Sequence, residues 1–72
     1  MNTMLLKWHM ARNKDDVQTL AKALGIHANT LYNKLNEKSR EKFTQDEIFE
    51  IVKRYKLTGD DLISIFFSTQ GY

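Results

Sequence analysis

The apolar positions of the chain recur at the three- and four-residue spacing of short α-helices, beginning with residues 3–13. On a helical wheel this first segment has two apolar sides. One side carries Met4, Leu5, Trp8 and Ala11, and the other carries Leu6 and Met10. A helix of this kind is either buried on both sides or keeps one side for a partner. The pattern leaves both interpretations open.

The next two predicted helices are short and are joined by a glycine turn. The first covers residues 17–24 and follows Asp15 and Asp16, either of which can cap its N-terminus. Gly25 ends it, because glycine readily adopts positive φ, and Ile26 follows as an apolar anchor. The second helix covers residues 28–35. The inward positions of the pair are Val17, Leu20, Ala21, Leu24, Leu31 and Leu35.

Two further helices begin at capping boxes, after a polar loop over residues 36–43. Thr44 with Glu47 opens a helix to about residue 55, and Thr58 with Asp61 opens another. The apolar stripes are Ile48, Ile51, Val52 and Tyr55, then Leu62, Ile65 and Phe66, with Leu57 as an anchor between them. We therefore predict an all-α fold, a compact bundle of about five short helices. It forms one domain over residues 1–72, with a short C-terminal tail at 68–72.

Composition excludes several classes of protein. The 72 residues include no cysteine, which excludes a disulfide scaffold and a cysteine-ligated zinc module. His9 and His27 are far apart and the three glycines stand singly, so no metal site and no phosphate-binding glycine loop is indicated. We expect neither enzyme activity nor a cofactor. No apolar run is long enough for a membrane span or a signal peptide, so we expect a soluble cytoplasmic protein without membrane contact.

The formal net charge of +2 is unevenly distributed. Residues 1–42 hold eight basic and four acidic side chains, a balance of +4. Residues 43–72 hold three basic and five acidic ones, a balance of −2. Such an asymmetry can orient a domain in the field of a polyanion.

Residues 17–35, VQTLAKALGIHANTLYNKL, have the features of a helix-turn-helix. Ala21 is small where two helices would cross closely, and Gly25 makes the turn. The segment resembles the Cro/repressor-type (Xre-like) helix-turn-helix regulators of temperate phages and their hosts. The resemblance extends through residues 43–45, 48–52 and 65–67. It implies a Cro/lambda-repressor-like DNA-binding domain whose helix-turn-helix covers about residues 16–35.

The resemblance implies that double-stranded operator DNA is bound with the helix 28–35 in the major groove. The base-facing candidates are His27, Ala28, Asn29, Tyr32 and Asn33. The phosphate-binding candidates are Gln18, Thr19, Thr30, Lys38, Ser39, Arg40 and Lys42. If four to six phosphates are neutralised per bound dimer, a plot of log affinity against log salt concentration should have a slope of roughly −4 to −5, called the log–log salt slope below.

Each of these candidates also has a purely structural interpretation. Asn29 can bond its own backbone at a helix start, and His27 can be a cap or a solvated residue. Tyr32 can be an ordinary surface aromatic, and the loop can be a solvated run of charges. Asp15 and Asp16 place two negative charges close to where a phosphate would approach.

Two functions are compatible with this sequence. The first is a phage or prophage Cro-like transcriptional regulator that controls a lysis/lysogeny-type switch in the cytoplasm of a bacterial host. The alternative is an antirepressor or corepressor that binds a larger phage repressor. Its contact residues would be Met4, Leu5, Trp8, Ile63, Phe66, Phe67 and Tyr72. The same apolar residues could instead close the core or form a homodimer.

Overall fold

Five α-helices make up the computed structural model, which describes residues 1–36, 38–39 and 41–67. They are α1 (Thr3–Arg12), α2 (Val17–Leu24), α3 (Ala28–Leu35), α4 (Gln45–Tyr55) and α5 (Gly59–Phe66). Those residues contain no strand, so the predicted all-α class is confirmed. The tail at 68–72 lies outside the described residues.

The helix ends follow local capping chemistry. Asp16 caps α2 by accepting the Thr19 amide, and the predicted boxes of Thr44 and Thr58 are both present. Asn2 caps α1 by accepting the Leu5 amide, although no cap was predicted for this helix. Because these interactions span only three residues, the sequence could place most helix starts correctly.

The turn between α2 and α3 is a Schellman motif at Gly25, whose φ is 72°. The Gly25 amide donates to the Lys22 carbonyl, and the Ile26 amide donates to the Ala21 carbonyl at 3.0 Å. Ile26 also packs against the core. The two short helices predicted on either side of Gly25 are therefore present as α2 and α3, joined by a three-residue connection.

One apolar side chain from each helix meets at the centre of the bundle. These fully buried residues are Leu6, Leu20, Leu31, Ile51 and Ile65. Met10, Ala21, Leu35, Tyr55 and Leu57 surround them. A single core therefore fixes all five helices relative to one another.

The two apolar sides of α1 differ in how far they are buried. Leu6 and Met10 are buried, whereas Met4 is 82% exposed and Trp8 53% exposed. Leu5 lies between the two sides and packs partly against the core. Of the two interpretations of this helix, burial on both sides is therefore wrong.

Candidate nucleic-acid interface

The outer face of α3 carries polar side chains on a firmly anchored helix. Leu31 and Leu35 are buried in the core, and Asn29, Tyr32 and Asn33 are exposed. The side chains of both asparagines make no hydrogen bond to the described residues. Two amide groups and a phenol therefore face solvent on a helix that the core holds in place.

His27 and Ala28 differ in how far they reach this outer face. His27 is exposed at the N-cap of α3, but its side chain makes no capping hydrogen bond. Ala28 is half-buried and packs against the core, because positions 28, 31 and 35 share one side of the helix. Ala28 is therefore less accessible than its predicted outward placement requires.

The phosphate-binding candidates fall into three groups. Gln18, Lys38 and Lys42 are exposed, whereas Thr30 and Ser39 are half-buried. The amide and the hydroxyl of Thr19 both donate to the Asp16 carboxylate, at 2.7 and 2.8 Å, so both donors are engaged. Arg40 lies outside the described residues.

Asp15 and Asp16 do not both place a free negative charge where a phosphate would approach, as the sequence predicted. The side chain of Asp15 is only 5% exposed, and its carboxylate accepts a two-pronged contact from the Arg54 guanidinium at 2.7 and 2.8 Å. The Tyr55 hydroxyl donates to the same carboxylate at 2.7 Å. The Arg54 bond outweighs the cost of burial and keeps the pKa of Asp15 below its usual value. The charge of Asp15 is therefore compensated within the fold, and only Asp16 remains near the exposed start of α2.

Asp16 stays ionised at the N-terminus of α2. The Thr19 amide and hydroxyl bond its carboxylate and lower the pKa of Asp16. A carboxylate thus occupies the helix end that an anion would otherwise favour.

Lys34 is a residue of this region that sequence reasoning missed. Its ammonium lies 2.8 Å from Glu47 Oε1 and 3.0 Å from the Lys42 carbonyl, and it sits over the Phe43 ring. The same Glu47 oxygen accepts the Thr44 amide at 2.8 Å. Burial opposes ionisation, but the bonds from Lys34 and Thr44 prevail and lower the pKa of Glu47. Lys34 therefore fastens the end of the loop to α3 and presents no free charge to solvent.

A separate apolar surface lies on α1 and α5, which pack against each other. Met4, Trp8, Ile63 and Phe67 are exposed there. Phe66 is half-buried instead and packs edge-on against Phe43. Tyr72, which was grouped with these residues, lies outside the described residues.

No helix within the described ranges is long and apolar enough to cross a membrane. In the same part of the chain, no three histidine or acidic side chains come together as a candidate metal site.

The fold and this interface define a small helical protein with one anchored helix that exposes uncharged polar groups. Residues 7–68 match the family described as phage regulatory protein CII (CP76), and the chain belongs to that family. It is a family of phage regulators and not one of enzymes, in agreement with the expected class of protein. Neither the curated proteins nor the solved structures include a match.

Proposed function

We propose that this phage regulator binds operator DNA in a sequence-dependent manner, with α3 in the major groove, and controls a lysis/lysogeny-type switch as Cro-like proteins do. The observation that carries the proposal is the exposed face of α3, with Asn29, Tyr32 and Asn33 above two buried leucines. An asparagine amide can form a two-pronged contact with an adenine edge, and such contacts discriminate between bases.

The loop after α3 supports the same proposal. Lys42 is exposed, and its carbonyl is held by the Lys34 ammonium. A lysine on a fixed backbone can meet a DNA phosphate without the full entropic cost of ordering the loop. Phosphate contacts of this type position a protein on DNA but carry no sequence information.

The test compares Asn33→Ala with Lys42→Ala on labelled duplexes, one from the protein's own promoter region and one unrelated, by fluorescence anisotropy. Asn33→Ala should reduce the preference for the promoter duplex by about 1–3 kcal/mol. Lys42→Ala should weaken binding to both duplexes equally and make the log–log salt slope shallower by about 0.9.

Gln45→Ala is the matched control, because it removes an exposed amide from the start of α4. It should change neither the affinity nor the preference. Equal effects of Asn33→Ala and Lys42→Ala on every duplex would disprove the division of roles. A lack of saturable binding by the unaltered protein would disprove the proposed function.

The exposed apolar side chains of α1 and α5 favour a second candidate, binding to a larger phage repressor. Contiguous exposed apolar patches often mark protein contacts. Trp8 is the one tryptophan of the chain, so its fluorescence reports directly on that surface. Adding the repressor should shift the Trp8 emission to shorter wavelength and change the repressor's occupancy of promoter DNA.

The same titration separates the two candidates. Steep, saturable DNA binding by the protein alone contradicts a pure antirepressor. DNA binding that requires the repressor contradicts a regulator that acts alone. A shift of Trp8 emission with protein concentration, without repressor, would instead indicate a homodimer.

A further inference from the structure

A groove of about 550 Å³ separates α1 from α3 on the side that carries Tyr32 and Asn33. Its lining includes Thr3, Lys7, Val17, Tyr32, Asn33 and Lys38. The groove thus borders the face of α3 that we propose to read bases. Anything bound in it would lie directly beside that face.

Both charged side chains among the described lining residues are lysines. Lys7 projects from α1 and Lys38 follows α3, and both are exposed. Neither forms an ion pair with a described residue. The groove therefore offers two ammonium groups to an anion, and its described lining includes no carboxylate to oppose them.

The alternative phosphate position beside α3 is already filled. At the start of α2, the Asp16 carboxylate accepts both the amide and the hydroxyl of Thr19. A phosphate at that helix end would meet a negative charge and engaged donors. This leaves the groove as the better position for the DNA backbone next to α3.

We propose that Lys7 and Lys38 bind a DNA backbone phosphate in this groove, with the Tyr32 hydroxyl as a further donor. The proposal rests on the proposed DNA binding and adds α1 to the interface. It assigns Lys7 a role that the pattern of the first helix did not suggest.

The experiment measures the affinity of Lys7→Gln and Lys38→Gln for the promoter and the unrelated duplex between 50 and 200 mM salt. Because the two lysines share one phosphate, removing either should make the log–log salt slope shallower by up to about 0.9 per bound chain, equally on both duplexes. Over this fourfold change in salt, the advantage of the unaltered protein should shrink by up to about 3.5-fold.

Lys53→Gln is the matched control. Lys53 is exposed and lines a different depression, between α2 and α4, that contains no α3 residue. It should leave the slope unchanged. Circular dichroism should show the same helix content for all three variants.

The outcomes separate this inference from the proposed function. If Lys7→Gln keeps the full slope while Asn33→Ala loses its preference, the groove proposal is overturned and the DNA-binding proposal stands. If Lys53→Gln changes the slope as much as Lys7→Gln does, the effect comes from the net charge of the protein, and the groove proposal is again overturned. If the unaltered protein binds neither duplex, both proposals fail.

Discussion

Replacing Asp15 by asparagine tests how the start of α2 is fastened to α4. The carboxylate accepts two bonds from Arg54 and one from Tyr55, all between 2.7 and 2.8 Å, across 39 or 40 residues of sequence. Asparagine keeps the shape but removes the charge and replaces one acceptor oxygen with an amide donor facing the guanidinium. The Asp15→Asn variant should therefore be less stable at neutral pH.

The expected loss is about 2 kcal/mol. A hydrogen bond to a charged group contributes roughly 1.5–3 kcal/mol and a neutral one about half of that. The three bonds share one carboxylate and are not additive, and the Arg54 side chain keeps 37% of its exposure, so water replaces part of what is lost. For a domain of this size, 2 kcal/mol corresponds to a fall in Tm of roughly 8–16 °C.

The pH dependence gives a second, independent signature. The pKa of Asp15 is lowered in the folded protein, so its stabilisation is present above the unfolded pKa of about 3.9. It is lost as pH falls through the lower folded pKa. The difference between the unaltered protein and Asp15→Asn should therefore be full at pH 7 and shrink as pH falls from about 5 toward 2.

Urea unfolding followed by circular dichroism measures both effects. Glu50→Gln is the control, because Glu50 is exposed and has only a 3.8 Å contact with Lys53. It should change the free energy of unfolding by less than about 0.5 kcal/mol. Equal stability of Asp15→Asn and the unaltered protein at pH 7, or a difference that does not shrink as the pH falls below the unfolded pKa, would refute the reasoning.

Three further substitutions probe the fold by the same unfolding assay. Lys56→Gly should stabilise the protein by about 0.5–1 kcal/mol, because Lys56 ends α4 at a φ of 52° that glycine adopts without strain; a loss of stability would contradict this. Leu31→Ala should cost about 3 kcal/mol because the side chain is fully buried, whereas Tyr32→Ala on the outer face of the same helix should cost little; similar costs would contradict the orientation of α3. Lys34→Met should cost about 2 kcal/mol by leaving the Glu47 carboxylate, only 12% exposed, without its cation, and adding Glu47→Gln, which keeps an oxygen for the Thr44 amide, should recover part of that loss.

The fold was predictable wherever the signal is local. The turn at Gly25 and the two capping boxes each involve residues three or four positions apart, and all were found where the sequence placed them. The alternation of buried and exposed positions along α3 is local in the same sense. Such features depend on the backbone of one helix and not on its neighbours.

The sequence could not reveal contacts between distant segments. Asp15 was expected to carry a free negative charge, yet Arg54, 39 residues away, compensates it. No role or partner was predicted for Lys34, yet Glu47 pairs with it. The burial of Thr3 is equally a matter of which helix packs beside α1. Pattern and propensity do not specify these neighbours, because several packings satisfy the same apolar stripes.

The two ion pairs between distant segments determine which parts of the surface carry net charge and which part is left uncharged for base recognition. Each joins residues 1–42 to residues 43–72, and the pairs have opposite sense: Lys34 meets Glu47, and Asp15 meets Arg54. Each part therefore loses one positive and one negative charge, and the asymmetry between a basic and an acidic part survives folding. Lys34 is the only charged residue of α3, so pairing it leaves the outer face of that helix uncharged. If α3 reads bases, salt-dependent affinity must come from lysines on neighbouring segments. Sequence preference and salt slope should then be separable by mutation.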